Sequence, residues 1–270
     1  MKFFLIKVNG AIKNFILFLR PYLLLGWAMG FFRLVANTLS LSIWISRNGK
    51  KINFSDFYTW KRVYNKREKL YEYVINEQNL DSINLDYLEF GVAEGSSFIW
   101  WTNRLKNKGN RFWGFDTFEG LPENWGFFAK GDMRSEIPAI EDDRVTFFKG
   151  LFQDTLPEFL KENRIEKSRK KVIHLDADLF SSTLFTLTSL APFLNEGDIL
   201  FFDEFNVPNH EFLAFKHFTE SYLIRTKILG AVNNFYQVAF EIESKKGVRP
   251  ITMFSLHNKN TIDITQTSTP

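Results

Sequence analysis

Four acidic residues stand where short apolar segments of this chain end, and carboxylates in such positions can bind cations or move protons. They are Asp116, Asp176, Asp203 and Glu204. If the segments form neighbouring strands, Asp176, Asp203 and Glu204 make a group of three carboxylates, which needs a compensating cation to stay ionised. Oxygen ligands of this kind suit Mg²⁺, Ca²⁺ or Mn²⁺ rather than zinc. The alternative is that one or two of these acids cap helices or pair with lysines.

A glycine turn precedes the four acids, in the segment Tyr87-Leu-Glu-Phe-Gly-Val-Ala-Glu-Gly-Ser-Ser97. An apolar run passes through Glu89 to Gly91 and Gly95, and Ser96 stands where a helix would begin. This pattern predicts a strand, a tight turn and a hydroxyl-capped helix. Glycine lets the backbone approach a ligand closely, and the N–H groups of a helix start attract an acidic group. The spacing departs from G-x-G-x-x-G, so an ordinary strand–turn–helix corner is the alternative.

Near-continuous apolar segments alternate with helix-length segments between residues 87 and 203. This alternation predicts parallel strands covered by helices on both faces, with ligands bound beyond the carboxyl ends of the strands. Asp116, at the end of the second strand, is placed to accept hydrogen bonds from ribose hydroxyls. Thr226–Gly230 and Phe235–Ile242 are joined by Ala231-Val-Asn-Asn234, which is a hairpin signal. We therefore predict a doubly wound, mostly parallel, Rossmann-like α/β sheet with a terminal antiparallel hairpin.

The composition limits the classes of function. The net charge of +3 is too small for the basic signature of a nucleic-acid-binding protein, so no nucleic-acid partner is expected. The absence of cysteine removes disulfides, thiolate metal sites and a cysteine nucleophile, which is compatible with the cytoplasm. We predict three parts: an N-terminal helical extension (1–85), a Rossmann-like domain (86–243) and a polar C-terminal tail (244–270).

The N-terminal extension is strongly apolar over Phe15–Ile45, although Arg20, Pro21 and Arg33 interrupt it. The uninterrupted segment Pro21–Phe32 is shorter than the roughly 20 residues that a membrane span needs. We expect amphipathic helices that pack on the main domain or on a second subunit in a homo-oligomer. Helices that lie in a membrane interface, giving a peripheral membrane association, are the alternative.

A basic run, Lys61–Lys69, follows these apolar helices on a predicted helix at Phe57–Glu77. Charge runs of this kind usually form a solvated helix face, and that is what we expect here.

Five successive blocks of the chain resemble the macrocin O-methyltransferase (TylF-like) family of class I S-adenosylmethionine-dependent methyltransferases. The resemblance covers about residues 87–242. Its blocks are Leu88-Glu-Phe-Gly-Val-Ala-Glu-Gly95, Gly114-Phe-Asp-Thr-Phe-Glu-Gly-Leu-Pro122, Lys149-Gly-Leu-Phe-Gln-Asp-Thr-Leu-Pro157, His174-Leu-Asp-Ala-Asp-Leu-Phe-Ser-Ser-Thr183 and Phe202-Asp-Glu-Phe205.

The resemblance implies a cofactor, a metal and a reaction. S-adenosylmethionine would lie with its methionine end at the Glu89–Ser97 turn, its ribose at Asp116 and its adenine near Gln153 and Asp154. Asp176, Asp203 and Glu204 would hold Mg²⁺ or Mn²⁺. The reaction implied is methyl transfer to a hydroxyl of a small molecule or sugar, and a bound metal, held partly by Asp176, would activate that hydroxyl.

Two departures from the related enzymes leave the general base unassigned. The segment Pro122–Arg144 contains no histidine, where the macrocin enzymes carry a proposed base. More distantly, Lys149–Pro157 and His174–Asp178 resemble catechol O-methyltransferase, whose enzymes carry a lysine shortly after the first metal aspartate, but Ala177–Phe180 contains no lysine. Asp178 and His210 lie nearby, but a strand-edge acid and a loop histidine are each expected to be structural. His174, within an apolar strand, is expected to be a core residue.

Two other functions remain open at this point. One is a non-catalytic cofactor-binding or scaffold protein on the same fold, and the other is an NAD-dependent oxidoreductase, which the glycine spacing disfavours. The sequence does not identify the acceptor.

Overall fold

The structure is a computed structural model that describes residues 1–162 and 164–245. The N-terminal part contains the elements α1 (Lys2–Leu19), α2 (Tyr22–Leu25), α3 (Met29–Asn48), β1 (Phe54–Ser55) and α4 (Lys66–Glu77). The elements that follow are β2 (Leu85–Phe90), α5 (Ser96–Arg104), β3 (Arg111–Asp116), β4 (Val145–Lys149), α6 (Phe152–Lys161), β5 (Lys170–Leu175), α7 (Phe180–Leu190), β6 (Ile199–Phe202), α8 (Glu211–Tyr222), β7 (Ile224–Val232) and β8 (Gln237–Lys245).

The eight strands form one sheet in the order β1-β7-β8-β6-β5-β2-β3-β4. The strands β6, β5, β2, β3 and β4 are parallel, whereas β8 pairs antiparallel with both β6 and β7. The predicted Rossmann-like α/β sheet with a terminal antiparallel hairpin is therefore confirmed. The chain leaves the central strand β2 toward β3 and later returns on its other side at β5, so the two halves of the sheet diverge at β2.

The parallel strands are apolar because helices cover both faces of the sheet. All six residues of β2 are buried. Phe90, Phe115 and Phe148 are register partners on β2, β3 and β4, and their rings stack at centroid distances of 4.7 and 4.8 Å. Such cross-strand aromatic pairs stabilise the register that brings the strand ends to one edge.

One part of the predicted N-terminal extension packs against the sheet, and another part is exposed to solvent. β1 pairs with β7, and α4 buries Leu70, Tyr71, Val74 and Ile75 against the sheet. From α3, Trp44 packs among five phenylalanine rings of the main domain, at centroid distances of 5.1 to 6.4 Å. By contrast, α1 has no buried residue. The predicted tail lies outside the described residues from 246 onward.

One helical stretch in the described part of the chain, Tyr22–Asn48, is long and apolar enough to cross a membrane, judged by length and composition alone. Its mean hydropathy is 1.3, and 6% of the most apolar window is buried. Core helices and signal sequences meet the same criterion, so the stretch is weak evidence for a span.

Candidate active site

A cavity of about 280 Å³ opens at the carboxyl ends of the central strands, where the two halves of the sheet diverge. Ligands of open α/β sheets bind at this point. The cavity brings together six of the predicted site residues, which come from five separate segments of the chain. They are Gly91, Asp116, Gln153, Asp176, Asp203 and Glu204.

The glycine turn after β2 is shaped by contacts with its own neighbours. Gly91 has φ +93°, and a Cβ there would stand 1.8 Å from the backbone oxygen of Asp176. Asp116 accepts hydrogen bonds from the N–H groups of Val92 and Ala93, each at 2.8 Å, and of Phe118 at 2.7 Å. Glycine is therefore needed at position 91 because the β5 loop passes so close, and Asp116 holds the turn at the cavity wall.

Glu89, predicted to contact the cofactor, lies away from the cavity in a buried polar cluster. Its carboxylate accepts hydrogen bonds from the hydroxyls of Ser97, at 2.5 Å, and Tyr87. The Tyr87 hydroxyl also lies 2.9 Å from Nδ1 of His174. His174 is 1% exposed, so it occupies the core position expected from its apolar strand. Glu89 thus joins β2 to the start of α5.

Gly95, Ser96 and Asp154 are also outside the cavity wall. Gly95 precedes α5 with φ +80°, and a Cβ there would meet the Pro138 ring at 2.6 Å. Ser96 is exposed, and its hydroxyl accepts a hydrogen bond from Arg67. Asp154 is exposed in the first turn of α6, beside the cavity-lining Gln153.

Five carboxyl groups crowd the β5 and β6 side of the site. Burial raises the pKa of Asp176, and Asp203 and Asp178 raise it further. Burial and the adjacent Glu204 and Asp203 raise the pKa of Asp178 to about 7. Burial also raises the pKa values of Glu204 and of the fully buried Glu211. Because like charges this close disfavour ionisation, the site is poised to accept a proton or a cation.

The donor chemistry of this cluster fits a hard divalent cation. Oδ1 of Asp203 and Oε2 of Glu204 are buried and accept no hydrogen bond from the residues that the structure describes. Carboxylate oxygens are the preferred ligands of Mg²⁺ and Mn²⁺. Among the described residues, no group of three or more acids or histidines is yet arranged around a metal position. Side-chain adjustment would be needed for Asp176, Asp203 and Glu204 to share one ion.

Two residues that sequence reasoning missed, Tyr64 and Arg67, reach the acid cluster from the N-terminal extension. The Tyr64 hydroxyl donates to Oδ2 of Asp203 at 2.9 Å. Arg67 is 6% exposed, lies 3.6 Å from Oδ1 of Asp203, and donates to Tyr64 and to Ser96 at 2.7 Å each. The expectation that the basic run is a solvated face is wrong for Arg67, because Asp203 provides a buried partner for its charge.

The turn between β7 and β8 positions the loop that carries Tyr64 and leads into α4, the helix that carries Arg67. The side-chain oxygens of Asn233 and Asn234 accept hydrogen bonds from the N–H groups of Val63, at 2.9 Å, and Thr59, at 2.8 Å. The asparagines stand at φ +54° and +58°, a region that asparagine enters more readily than most residues. The hairpin signal in the sequence could have drawn attention to this turn, but not to its distant partner.

The long connection between β3 and β4 covers the outer side of the cavity. Leu121, Pro122, Trp125 and Met133 line it, and the Trp125 ring stacks on Phe128 at 5.3 Å. The cavity is therefore lined both by apolar residues of this connection and by the acids at the strand ends.

Residues 88–205 match the family model described as a methyltransferase domain. The chain is 28% identical over 159 residues to 8-demethyl-8-(2,3-dimethoxy-alpha-L-rhamnosyl)-tetracenomycin-C 4′-O-methyltransferase of Streptomyces olivaceus, covering 50% of this chain and 59% of that protein. It is 26% identical over 153 residues to mycinamicin III 3″-O-methyltransferase of Micromonospora griseorubida, covering 47% and 58%. The chain thus spans less than two thirds of these relatives.

The crystal structure of CalS11, calicheamicin methyltransferase, superposes with a TM-score of 0.53 at 19% identity, covering 67% of this chain and 80% of that one. At this identity the likeness shows the fold. The chain therefore contains a segment that matches a methyltransferase domain, on a fold that CalS11 shares. These comparisons do not single out the macrocin branch that the sequence blocks resemble.

Arg67→Met should lower the free energy of unfolding by about 3–5 kcal/mol, because it leaves Asp203 buried without its cationic partner. Urea denaturation measures this loss. The matched control is Arg164→Met, which removes an exposed ion pair with Glu162 and should change stability by less than about 1 kcal/mol. Equal small losses in the two variants would show that Arg67 does not stabilise the cluster.

Proposed function

We propose that this chain is an S-adenosylmethionine-dependent O-methyltransferase that acts on a hydroxyl of a small molecule or sugar, with help from a divalent metal. The observation that carries the proposal is that Asp116, Gln153 and the acidic cluster line the same cavity, in a methyltransferase-type fold. The cofactor would lie between Gly91, Asp116 and Gln153, with its methyl group toward the acids. The acceptor would enter between the acids and Trp125.

The hydroxyl acceptor is supported by the relatives and by the cavity wall. The matched proteins are named for O-methylation of a rhamnosyl-tetracenomycin and of mycinamicin III. Apolar walls with a few polar groups suit a ring-shaped acceptor, since the rings cover the apolar side while hydroxyls reach the polar side. Trp125 is one of the aromatic residues that line the cavity and could make this contact.

The reaction requires transfer of a methyl group and removal of one proton. The acceptor oxygen forms a bond with the methyl carbon as the carbon–sulfur bond breaks, and the sulfonium becomes a neutral thioether. Asp178 lines the cavity, and its pKa of about 7 suits a group that takes the hydroxyl proton near neutral pH. We therefore assign the general base to Asp178. Holding both reactants in one small cavity supplies much of the acceleration.

Asp176, Asp203 and Glu204 are the residues that would hold the metal. When bound, a divalent cation lowers the pKa of a coordinated hydroxyl. The chain's own part is to gather oxygen donors, with Tyr64 and Arg67 fixing the position of Asp203. The raised pKa values of Asp176 and Glu204 support this assignment, because a cation would relieve the repulsion between them.

Asp116→Asn should weaken S-adenosylmethionine binding about tenfold or more, because a charged acceptor beside the ribose is lost together with the anchor of the turn. Isothermal titration measures the affinity, and titration with NAD tests the oxidoreductase alternative. Asp154→Asn is the matched control, since Asp154 is exposed beside the cavity and should leave the affinity unchanged. Tighter binding of NAD than of S-adenosylmethionine would overturn the proposal.

Asp203→Asn should abolish Mn²⁺ binding and reduce methyl transfer far more than cofactor affinity, because Asp203 would hold the ion and not the cofactor. Titration with Mn²⁺ in the absence of acceptor gives a readout independent of turnover. The control is Glu162→Gln, an exposed acid outside the site. Full turnover of the unmodified protein in excess chelator would remove the metal from the proposal.

Methyl transfer should rise with pH through an acidic limb at or below pH 7, because Asp178, whose pKa is about 7 without a cation, must lose its proton before it can accept one from the substrate. A cation bound to the neighbouring acids would lower this pKa and move the limb to lower pH. Asp178→Asn should lower kcat and flatten this limb while leaving cofactor affinity intact. The pH profile of kcat/KM measures the effect. A limb that survives unchanged in Asp178→Asn would assign the base to another group.

A further inference from the structure

The helices α1 and α2 and the first part of α3 expose more apolar surface than any other region that the structure describes. In this N-terminal helical surface, defined as residues 1–36, the most exposed rings include Phe3 at 83%, Phe18 at 80% and Trp27 at 88%. Exposed apolar patches of this extent mark binding surfaces.

The helix α1 is amphipathic in a specific way. At about 3.6 residues per turn, Lys2, Lys7, Asn9, Lys13 and Asn14 all fall within one half of the circumference. The opposite half is wholly apolar, and its members include Phe4, Val8, Ile12, Phe15, Ile16 and Leu19, all exposed. Helices with lysines on one side and aromatic and aliphatic residues on the other lie flat in the interface of a membrane.

The charge of this region points to the chemistry of the partner. Residues 1–55 contain eight lysines and arginines and no aspartate or glutamate. The net charge of +3 for the whole chain therefore divides into +8 for residues 1–55 and −5 for the remainder. Basic residues next to an apolar face bind anionic lipid headgroups, and each one near the surface strengthens the attraction. If a second copy of the chain covered this region with its own N-terminal surface, two regions that each carry a net charge of +8 would repel each other.

The docked end of α3 argues against a bilayer span by Tyr22–Asn48. Asn37 donates to Oδ1 of Asn209, Ser40 accepts from Lys216, and Leu41 and Trp44 pack into the core of the main domain. Only residues 22–36 of this stretch remain ahead of the docked face, fewer than the roughly 20 that a span requires.

We propose that the N-terminal helical surface binds the main domain to an anionic lipid surface, with α1 lying in the interface. The apolar half of α1 enters the acyl boundary, and Lys2, Lys7 and Lys13 meet the headgroups. The docked end of α3 then connects this surface to the main domain. The proposal does not depend on methyl transfer, because it rests on the helices outside the cavity.

The test is flotation of the full chain with vesicles of phosphatidylcholine alone and of phosphatidylcholine mixed with phosphatidylglycerol, at low and at high salt. We expect binding to the anionic vesicles, weakened by salt. The variant with Lys2→Glu, Lys7→Glu and Lys13→Glu should bind these vesicles at least about 100-fold more weakly. Phe15→Asp, on the apolar half, should also weaken binding.

The matched control carries Lys106→Glu, Lys108→Glu and Lys161→Glu, which change the net charge equally at exposed positions of the main domain. It should bind like the unmodified chain, and thermal unfolding should show that all variants remain folded. Equal loss of binding in the control, or equal binding to neutral vesicles, would overturn the proposal. A stable dimer that does not bind vesicles would also overturn the proposal. Recovery only in an alkali-resistant membrane fraction would overturn it as well, because it would indicate a true span.

Discussion

Carboxylates gathered at one edge of a parallel sheet repel each other, and much of the site is arranged to offset that repulsion. Asp176, Asp203 and Glu204 arrive at the same edge because β5 and β6 are neighbouring parallel strands. Arg67 supplies the buried positive charge, and Tyr64 a hydroxyl donor, that stabilise Asp203. The remaining repulsion helps keep the pKa values of Asp176 and Asp178 raised, and raised pKa values favour proton transfer or cation binding at these carboxyls.

Local sequence reveals which acids stand at strand ends, because the order of strands and helices determines where each strand ends. Apolar segments that alternate with helices predict parallel strands, and parallel strands of known order bring their terminal acids to a common edge. Asp116, Asp176, Asp203 and Glu204 could therefore be predicted to meet, and all four line one cavity. The hairpin of β7 and β8 was also predictable, because two apolar segments flank an Asn-Asn pair.

What local sequence does not reveal is which polar residues turn inward. Both faces of β2 are buried, so strand periodicity could not show that Glu89 bonds to Tyr87 and Ser97 instead of facing a ligand. Arg67 belongs to a basic run that looks solvated, and its burial depends on Asp203, which is far away in sequence. Contacts of this kind depend on tertiary packing, which a pattern of charges along one helix does not encode.

The net charge of the whole chain likewise hides how the charges are distributed. A value of +3 conceals an N-terminal part of +8 and a remainder of −5. An anionic surface that attracts the first part repels the second, so binding through α1 would also orient the main domain away from the lipid. The cavity is linked to α3, because the ring of the cavity-lining Trp125 lies 6.4 Å from the His210 ring between centroids, and the neighbouring Asn209 accepts a hydrogen bond from Asn37 on α3. The charge asymmetry would therefore favour both attachment through α1 and an orientation that keeps the main domain away from the lipid.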